Sequence, residues 1–341
     1  MWMLFGRRVR VYVGVPGSRV HIDAGRLVVD SAEDAELLSV PSGHVERLVC
    51  FGPVGVSAGA RSWALTNQVN VVFASRRGGY LGQLLSSSVT RVDRLRDQLR
   101  ATDNAELYLP FGRAVVTAKV RKQAVLLQRL VRREQHEEIT HEIGLIQQML
   151  AMVPDCGTRD ELMGVEGAAA RSYFTALGLL VPEELRFSGR SRQPPMDTIN
   201  SALSFGYTVL VGEATAALVA AGLDPAIGLL HTEQYRRPSL ALDLVEEFRP
   251  LVIDQVVISA ARAAELRPEH GRVEEGRPGV LLTRAGREVL LTGYERRMLR
   301  ITRGALPGFS GSLRRHLYRQ AQRIAAYIAD PTQSWTGLSW R

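Results

Sequence analysis

Apolar positions recur two residues apart near the start of the chain and three or four apart through most of the rest. VRVYVG, SRVHID and RLVVD alternate or carry β-branched runs, separated by Pro16-Gly17 and Ala24-Gly25, and so predict strands. RLVCFG and QVNVVFAS predict two more, the second closely followed by Gly78-Gly79, with a short helix in VSAGARSWALTNQ between them. From Ser86 the period changes, and SSSVTRVDRLRDQLRATDN predicts a helix behind a serine N-cap region. Beyond Pro110 helices dominate. The stretch from Gly112 to Val153 has the stepping of one long helix or two. A helix is expected from near Asp197 to near Gly222, with Asp224-Pro225 as its stop. VLLTRAGREVLLTGY predicts a β-hairpin turning at Ala285-Gly286, and SLRRHLYRQAQRIAAYIAD a final helix, basic through Arg314, Arg315, Arg319 and Arg323.

The expected fold class is therefore α+β, a small N-terminal β-rich domain followed by a larger, mainly α-helical one. Residues 1–88 form the β-rich domain, 89–109 a linker helix and loop, 110–330 the helical domain and 331–341 a tail. The tail carries Trp335 and Trp340 and is too short to bury them itself, so it either docks on its own fold or meets a partner.

Composition narrows the function classes. A chain of 341 residues can build two domains and a sizeable core. No uninterrupted apolar run reaches the eighteen or so residues of a membrane span, and Glu213 breaks the most apolar stretch. No membrane partner is expected. The apolar region of MWMLFGRRVR is too short for a signal peptide, so the expected location is cytoplasmic. Cys50 and Cys156 suggest neither a disulfide framework nor a zinc site. The net charge of +8 points to a polyanionic partner, and arginine supplies nearly all of the positive charge; Lys119 and Lys122 are the only lysines. No Walker A loop, dinucleotide fingerprint or nucleophile elbow is present.

The most informative stretch is HTEQYRRPSLALDLVEEFRP, from His231 to Pro250. Asp243, Glu246 and Arg249 step round one side of a helix at about 60° intervals, while Ala241, Leu244, Val245 and Phe248 make an apolar stripe opposite. A loop-borne histidine facing such acids suits magnesium or manganese; the same pattern also describes a solvated helix face. Glu166 lies among small residues between Gly164 and Gly167, where a carboxylate needs a cation or an ion-pair partner such as Arg171. Arg190, Arg192, Pro194 and Pro195 form a rigid basic approach to the Asp197 helix. Arg113, Lys119, Arg121, Lys122, Arg129, Arg132 and Arg133 make either a phosphate-facing stripe or a solvated face. His136, Glu137 and His141 miss the zinc-protease spacing by one residue, which sets the imidazoles roughly 140° apart and excludes a shared metal.

Three blocks in this order, MGVEGAAARSYF, GRSRQPPMDTINSALSFGY and GLLHTEQYRRPSLALDLVEEFRP, resemble the CRISPR-associated spacer integrases, the Cas-one family, in versions from type I systems such as subtype I-C. The resemblance is firm from about Lys119 to the final helix. It implies a β-rich dimerisation domain, a helical catalytic domain and a homodimer, with a Cas-two dimer bridging two homodimers and a Cas-four-type end-processing nuclease as a further partner. It also implies a prokaryotic, metal-dependent DNA endonuclease and integrase that inserts protospacer DNA at the leader-repeat boundary of a CRISPR array. The metal ligands for Mg2+ or Mn2+ would be Glu166, His231 and Glu246, with Asp243 as a further catalytic acid. Arg171 and Arg249 would join Arg190 and Arg192 as DNA contacts. Lys122 departs from the asparagine that relatives often carry there, which places a local helix contact in question. A non-catalytic DNA-binding scaffold is the alternative.

Overall fold

The computed structural model describes residues 2–5, 8–75, 80–84, 92–131, 136–185, 187–232, 237–276 and 278–340. Expectations resting on Ser86, Gly78-Gly79, Arg132, Arg133 and the segment 233–236 fall outside these residues. Contacts divide the chain into Met1–Val89 with Ser204–Gly212, and Thr90–Leu203 with Glu213–Arg341.

The first unit holds β1 (Trp2–Phe5), β2 (Arg8–Val13), β3 (Arg19–Asp23), β4 (Arg26–Asp30), β5 (Glu36–Pro41), β6 (Val45–Phe51), β7 (Gly55–Val56), α1 (Ala58–Thr66), β8 (Asn70–Ala74) and β9 (Tyr80–Leu84). The expected strands form; β1, β5, β7 and β9 are additional. One sheet has the order β1-β2-β6-β8-β9 and the other β5-β4-β3-β7. Register places Val11 opposite Leu48 and Leu48 opposite Val71 in the first sheet. In the second, Val29 stands between Val20 and Leu38. All six side chains are buried in one apolar cluster, which selects this pairing over a one-residue slip.

The second unit begins with α2 (Val92–Asp103), α3 (Ala105–Leu130), α4 (Glu137–Met152) and α5 (Arg159–Gly178). The Gly112–Val153 stretch is thus parts of two helices. α3 runs through Pro110, so a boundary at that residue falls inside a helix. The helix α6 (Thr198–Ala220), whose residues Ser204–Gly212 group with the first unit, begins at Asp197, whose side chain accepts from Asn200 N at 2.7 Å, and Gly222 follows its end at φ +78°. Then come α7 (Ser239–Val245), a π-helical turn at Arg249–Asp254 and α8 (Gln255–Arg262). Small hairpins β10 (Gly271–Val273) with β11 (Val280–Leu282) and β12 (Ile301–Leu306) with β13 (Phe309–Ser312) flank α9 (Arg284–Met298), and α10 (Leu313–Ala329) closes the order.

The hairpin expected at Ala285-Gly286 is instead the first turn of α9. Thr283 caps it by accepting from Gly286 N at 3.2 Å, and Leu290, Leu291, Tyr294 and Met298 bury a three- and four-residue stripe. Arg314 is not part of a basic surface either. It is buried against Glu213, with Glu295 at 2.8 Å, while Tyr294 Oη donates to Glu213 at 2.7 Å. Burial opposes its charge, but the two carboxylates overcome that cost and raise its pKa above the ordinary arginine value. By length and composition α6 could cross a membrane, yet 67% of its most apolar window is buried in the fold. The tail docks on its own unit, with Trp335 buried 5.1 Å from the ring of Phe111.

Candidate functional site

Four separate elements of the helical unit deliver side chains to one buried cluster. α5 supplies Glu166, α3 supplies Lys119, the loop after α6 supplies His231, and the end of α7 supplies Asp243 and Glu246. Lys119 Nζ bridges Glu166 Oε1 and Glu246 Oε2. His231 Nε2 lies 4.0 Å from Glu246 Oε1, and Arg249 Nη1 stands 3.0 Å from the same oxygen. Glu246 is therefore the hinge of the cluster. Burial alone would raise its pKa, but Arg249, Lys119 and His231 hold it down at about 2.

His231 is fixed by Asp243. One carboxylate oxygen of Asp243 accepts from Leu229 N and Leu230 N at 2.8 and 3.0 Å; the other accepts from His231 N at 2.9 Å and meets His231 Nδ1 at 2.6 Å. That short contact places the proton on Nδ1 in the neutral ring and leaves the Nε2 lone pair facing Glu246. Asp243, expected as a catalytic acid, has both oxygens engaged in this way and holds the His231 backbone and ring in place. Gly228 lets the loop come this close. A Cβ there would stand 2.4 Å from His231 O and 2.7 Å from Ser239 Cβ.

The acids do not make a solvated helix face: Asp243, Glu246 and neighbouring Glu247 are all buried. Glu247 accepts from Lys122 Nζ at 3.0 Å, Gln320 Nε2 at 2.7 Å and Leu338 N at 2.7 Å, so it ties α3, α10 and the tail together. Lys119 and Lys122 thus belong neither to a phosphate-facing stripe nor to a solvated face. Arg113 leaves the stripe too, donating to Cys156 O at 2.7 and 3.0 Å. Sequence reasoning missed the role of Lys119. A lysine predicted on a mostly apolar helix of a chain with only two lysines is the signal that was available.

Arg171 does not pair with Glu166. They stand five positions apart, about 140° around α5, and Arg171 is exposed. Arg192 is also exposed, whereas Arg190 donates to Ser191 O and, at 2.9 Å, to Asn200 Oδ1, bracing the turn before α6. Among the described residues, and apart from the neighbouring residues and backbone of α5 itself, nothing lies within 4 Å of a Cβ placed on Gly164 or Gly167.

The donor chemistry fits a hard divalent ion, with two carboxylates and one imidazole lone pair. Among the described residues, however, no three His, Cys, Asp or Glu side chains are grouped closely enough to hold an ion as they stand. Glu166 and Glu246 are gathered through the Lys119 ammonium, a cation already seated between them.

Fold and site together define an α+β protein whose helical unit converges carboxylates and an oriented imidazole on a buried ammonium. The sequence matches the family model for CRISPR associated protein Cas1 over residues 11–296. The chain belongs to the Cas1 family. It is 37% identical over 325 residues to CRISPR-associated endonuclease Cas1 1 of Thermus thermophilus, spanning 95% of this chain and 98% of that protein. A CRISPR-associated exonuclease Cas4/endonuclease Cas1 fusion of Geobacter sulfurreducens is 30% identical, covering 98% of this chain and 61% of the fusion. Two solved structures share the fold at 22% identity and a TM-score of 0.84 each. A casposase bound to integration product covers 94% of this chain and 91% of that one, and a Cas6-RT-Cas1–Cas2 complex covers 99% and 37%.

Proposed function

We propose that this protein is a metal-dependent DNA integrase and endonuclease of CRISPR adaptation, joining protospacer 3′ ends to phosphodiesters at the leader-repeat boundary. The observation that carries the reading is the gathering of Glu166, Glu246 and the Nε2 lone pair of His231 from three separate elements of the helical unit, in a member of the Cas1 family. In the reaction the 3′-oxygen loses its proton and bonds to phosphorus, while the bond from phosphorus to the leaving 3′-oxygen breaks and that oxygen gains a proton.

Glu166, His231 and Glu246 would hold Mg2+ or Mn2+, which when bound supplies a concentrated positive charge for the phosphoryl oxygens. Asp243 keeps the His231 proton on Nδ1, so that Nε2 stays a lone-pair donor. Lys119 and Arg249 place two fixed positive charges beside the carboxylates, where negative charge grows on the reacting phosphate. Exposed Arg171 and Arg192 serve the DNA backbone, and Arg190 shapes the approach through Asn200. The assembly in this reading is a homodimer, two of which are bridged by a Cas2 dimer. The fused Cas4–Cas1 relatives support a Cas4-type nuclease as the trimming partner.

The seated ammonium favours one rival, a scaffold that binds DNA without chemistry. Integration of a labelled duplex into a repeat-bearing plasmid, with Cas2 and manganese or magnesium supplied, separates the two. The integrase reading expects Glu166→Ala, His231→Ala and Glu246→Ala each to abolish product. Wild-type levels of product from all three variants would show that the site is wrongly assigned, and absence of product from the wild-type protein would replace the integrase with the scaffold.

A further inference from the structure

A cavity of about 590 Å³ lies among the end of α3, the end of α9, β12 and the last residues of the tail. Arg129, Arg297, Arg300 and Arg303 line it together with Trp340, and none of its described lining residues is acidic. It shares no residue with the Lys119–Glu246 cluster. The wall is built rather than incidental. Ser339 N donates to Ala305 O at 2.8 Å, which fixes the tail beside β12. The Arg129 guanidinium packs 4.2 Å over the Trp340 ring. Arg297 Nε donates to Leu251 O at 2.7 Å, leaving its charge to be met by something other than a carboxylate. Arg300 and Arg303 are exposed at the mouth.

These guanidiniums repel one another. Burial pulls the Arg297 pKa down to about 10, and the charges of Arg300 and Arg129 pull in the same direction. An anion in the cavity would remove that repulsion. The volume lies within the range of small-ligand sites, room for a nucleotide unit and too little for a duplex. The geometry points to a nucleotide-binding subsite in which Arg297, Arg300 and Arg303 take phosphate and a base packs against Trp340. The ligand chemistry is a phosphate-bearing nucleotide, supplied either by a single DNA strand or as a free nucleotide. The assignment does not rest on the integrase reading, and its test needs neither metal nor turnover.

The full-length protein in EDTA is irradiated with a thymidine-rich single strand carrying 5-iododeoxyuridine, and the cross-link is mapped by mass spectrometry. The expected cross-link is to Trp340. Arg300→Glu with Arg303→Glu should lower its yield about tenfold at unchanged melting temperature, and should flatten the salt dependence of strand binding by about 0.7 in slope per arginine. Arg61→Glu with Arg96→Glu, the same charge change at two exposed positions outside the cavity, should leave the yield within twofold. Competition by thymidine monophosphate assigns the site to a free nucleotide, and competition by the unlabelled strand alone assigns it to DNA. A strand that binds without cross-linking to Trp340 overturns the subsite, as does a yield that both arginine pairs lower equally or that neither lowers.

Discussion

Replacing Asp243 tests how the imidazole is held. Its carboxylate accepts three backbone N–H groups and faces His231 Nδ1, with the side chain fully buried. Asp243→Ala strands those three amides, two of them on buried Leu229 and Leu230. Each buried donor left without a partner costs about 1–3 kcal/mol, and local relaxation and water entry recover part of the sum, so a loss of about 4 kcal/mol is expected. Asp243→Asn is the sharper variant. Its one carbonyl oxygen can keep Leu229 and Leu230, but its NH2 then faces the His231 amide and ring as donor against donor. The ring relieves this by moving its proton to Nε2, which removes the lone pair a metal would use. The asparagine variant should therefore retain most of its stability and bind Mn2+ roughly 10- to 100-fold more weakly. Urea denaturation gives the first number and calorimetric titration with manganese, without DNA, gives the second. The reasoning fails if the alanine variant unfolds within about 0.5 kcal/mol of wild type, or if the asparagine variant binds manganese as tightly as wild type.

Three further expectations concern the surroundings of this pair. Lys119→Met leaves Glu166 and Glu246 without their shared ammonium, so the metal-free protein should lose about 3 kcal/mol; manganese should then raise its melting temperature more than that of wild type, and an equal or smaller rise would contradict the seated-cation reading. Gly228→Ala forces backbone apart beneath His231 and should destabilise by about 1–3 kcal/mol, whereas Gly167→Ala, with open space at its Cβ, should change thermal stability little. Burial pushes the Cys50 thiol up to about 12, so its reactive thiolate is scarce below that pH. Alkylation of the folded protein at pH 9 should spare Cys50 and proceed only after urea is added, and prompt native-state labelling would count against the buried core assigned to β6.

The local grammar of the chain was legible along much of its length. Alternating valines marked β2 and adjacent valines β4 and β8, and Asp197 and Gly222 bracketed α6. The order of the three motif blocks singled out Glu166, His231 and Glu246 before any coordinates. Short apolar runs were less informative. VLL followed by TRAGREVLL suits a hairpin as well as a strand and a capped helix, and only the Thr283 cap and the buried Leu290–Met298 stripe decide between them. Burial was the other unreadable quantity. Lys119, Lys122, Arg314, Glu246 and Glu247 have the spacing of solvated charges, yet each is buried and paired with a group far away in sequence. Periodicity reports which residues share a face of one helix and says nothing about what is packed against it. Partners brought together from α3, α5 and α7 are a product of tertiary packing. The low-dielectric interior then turns those charges from surface decoration into a site, because a buried charge must find its opposite or a cation.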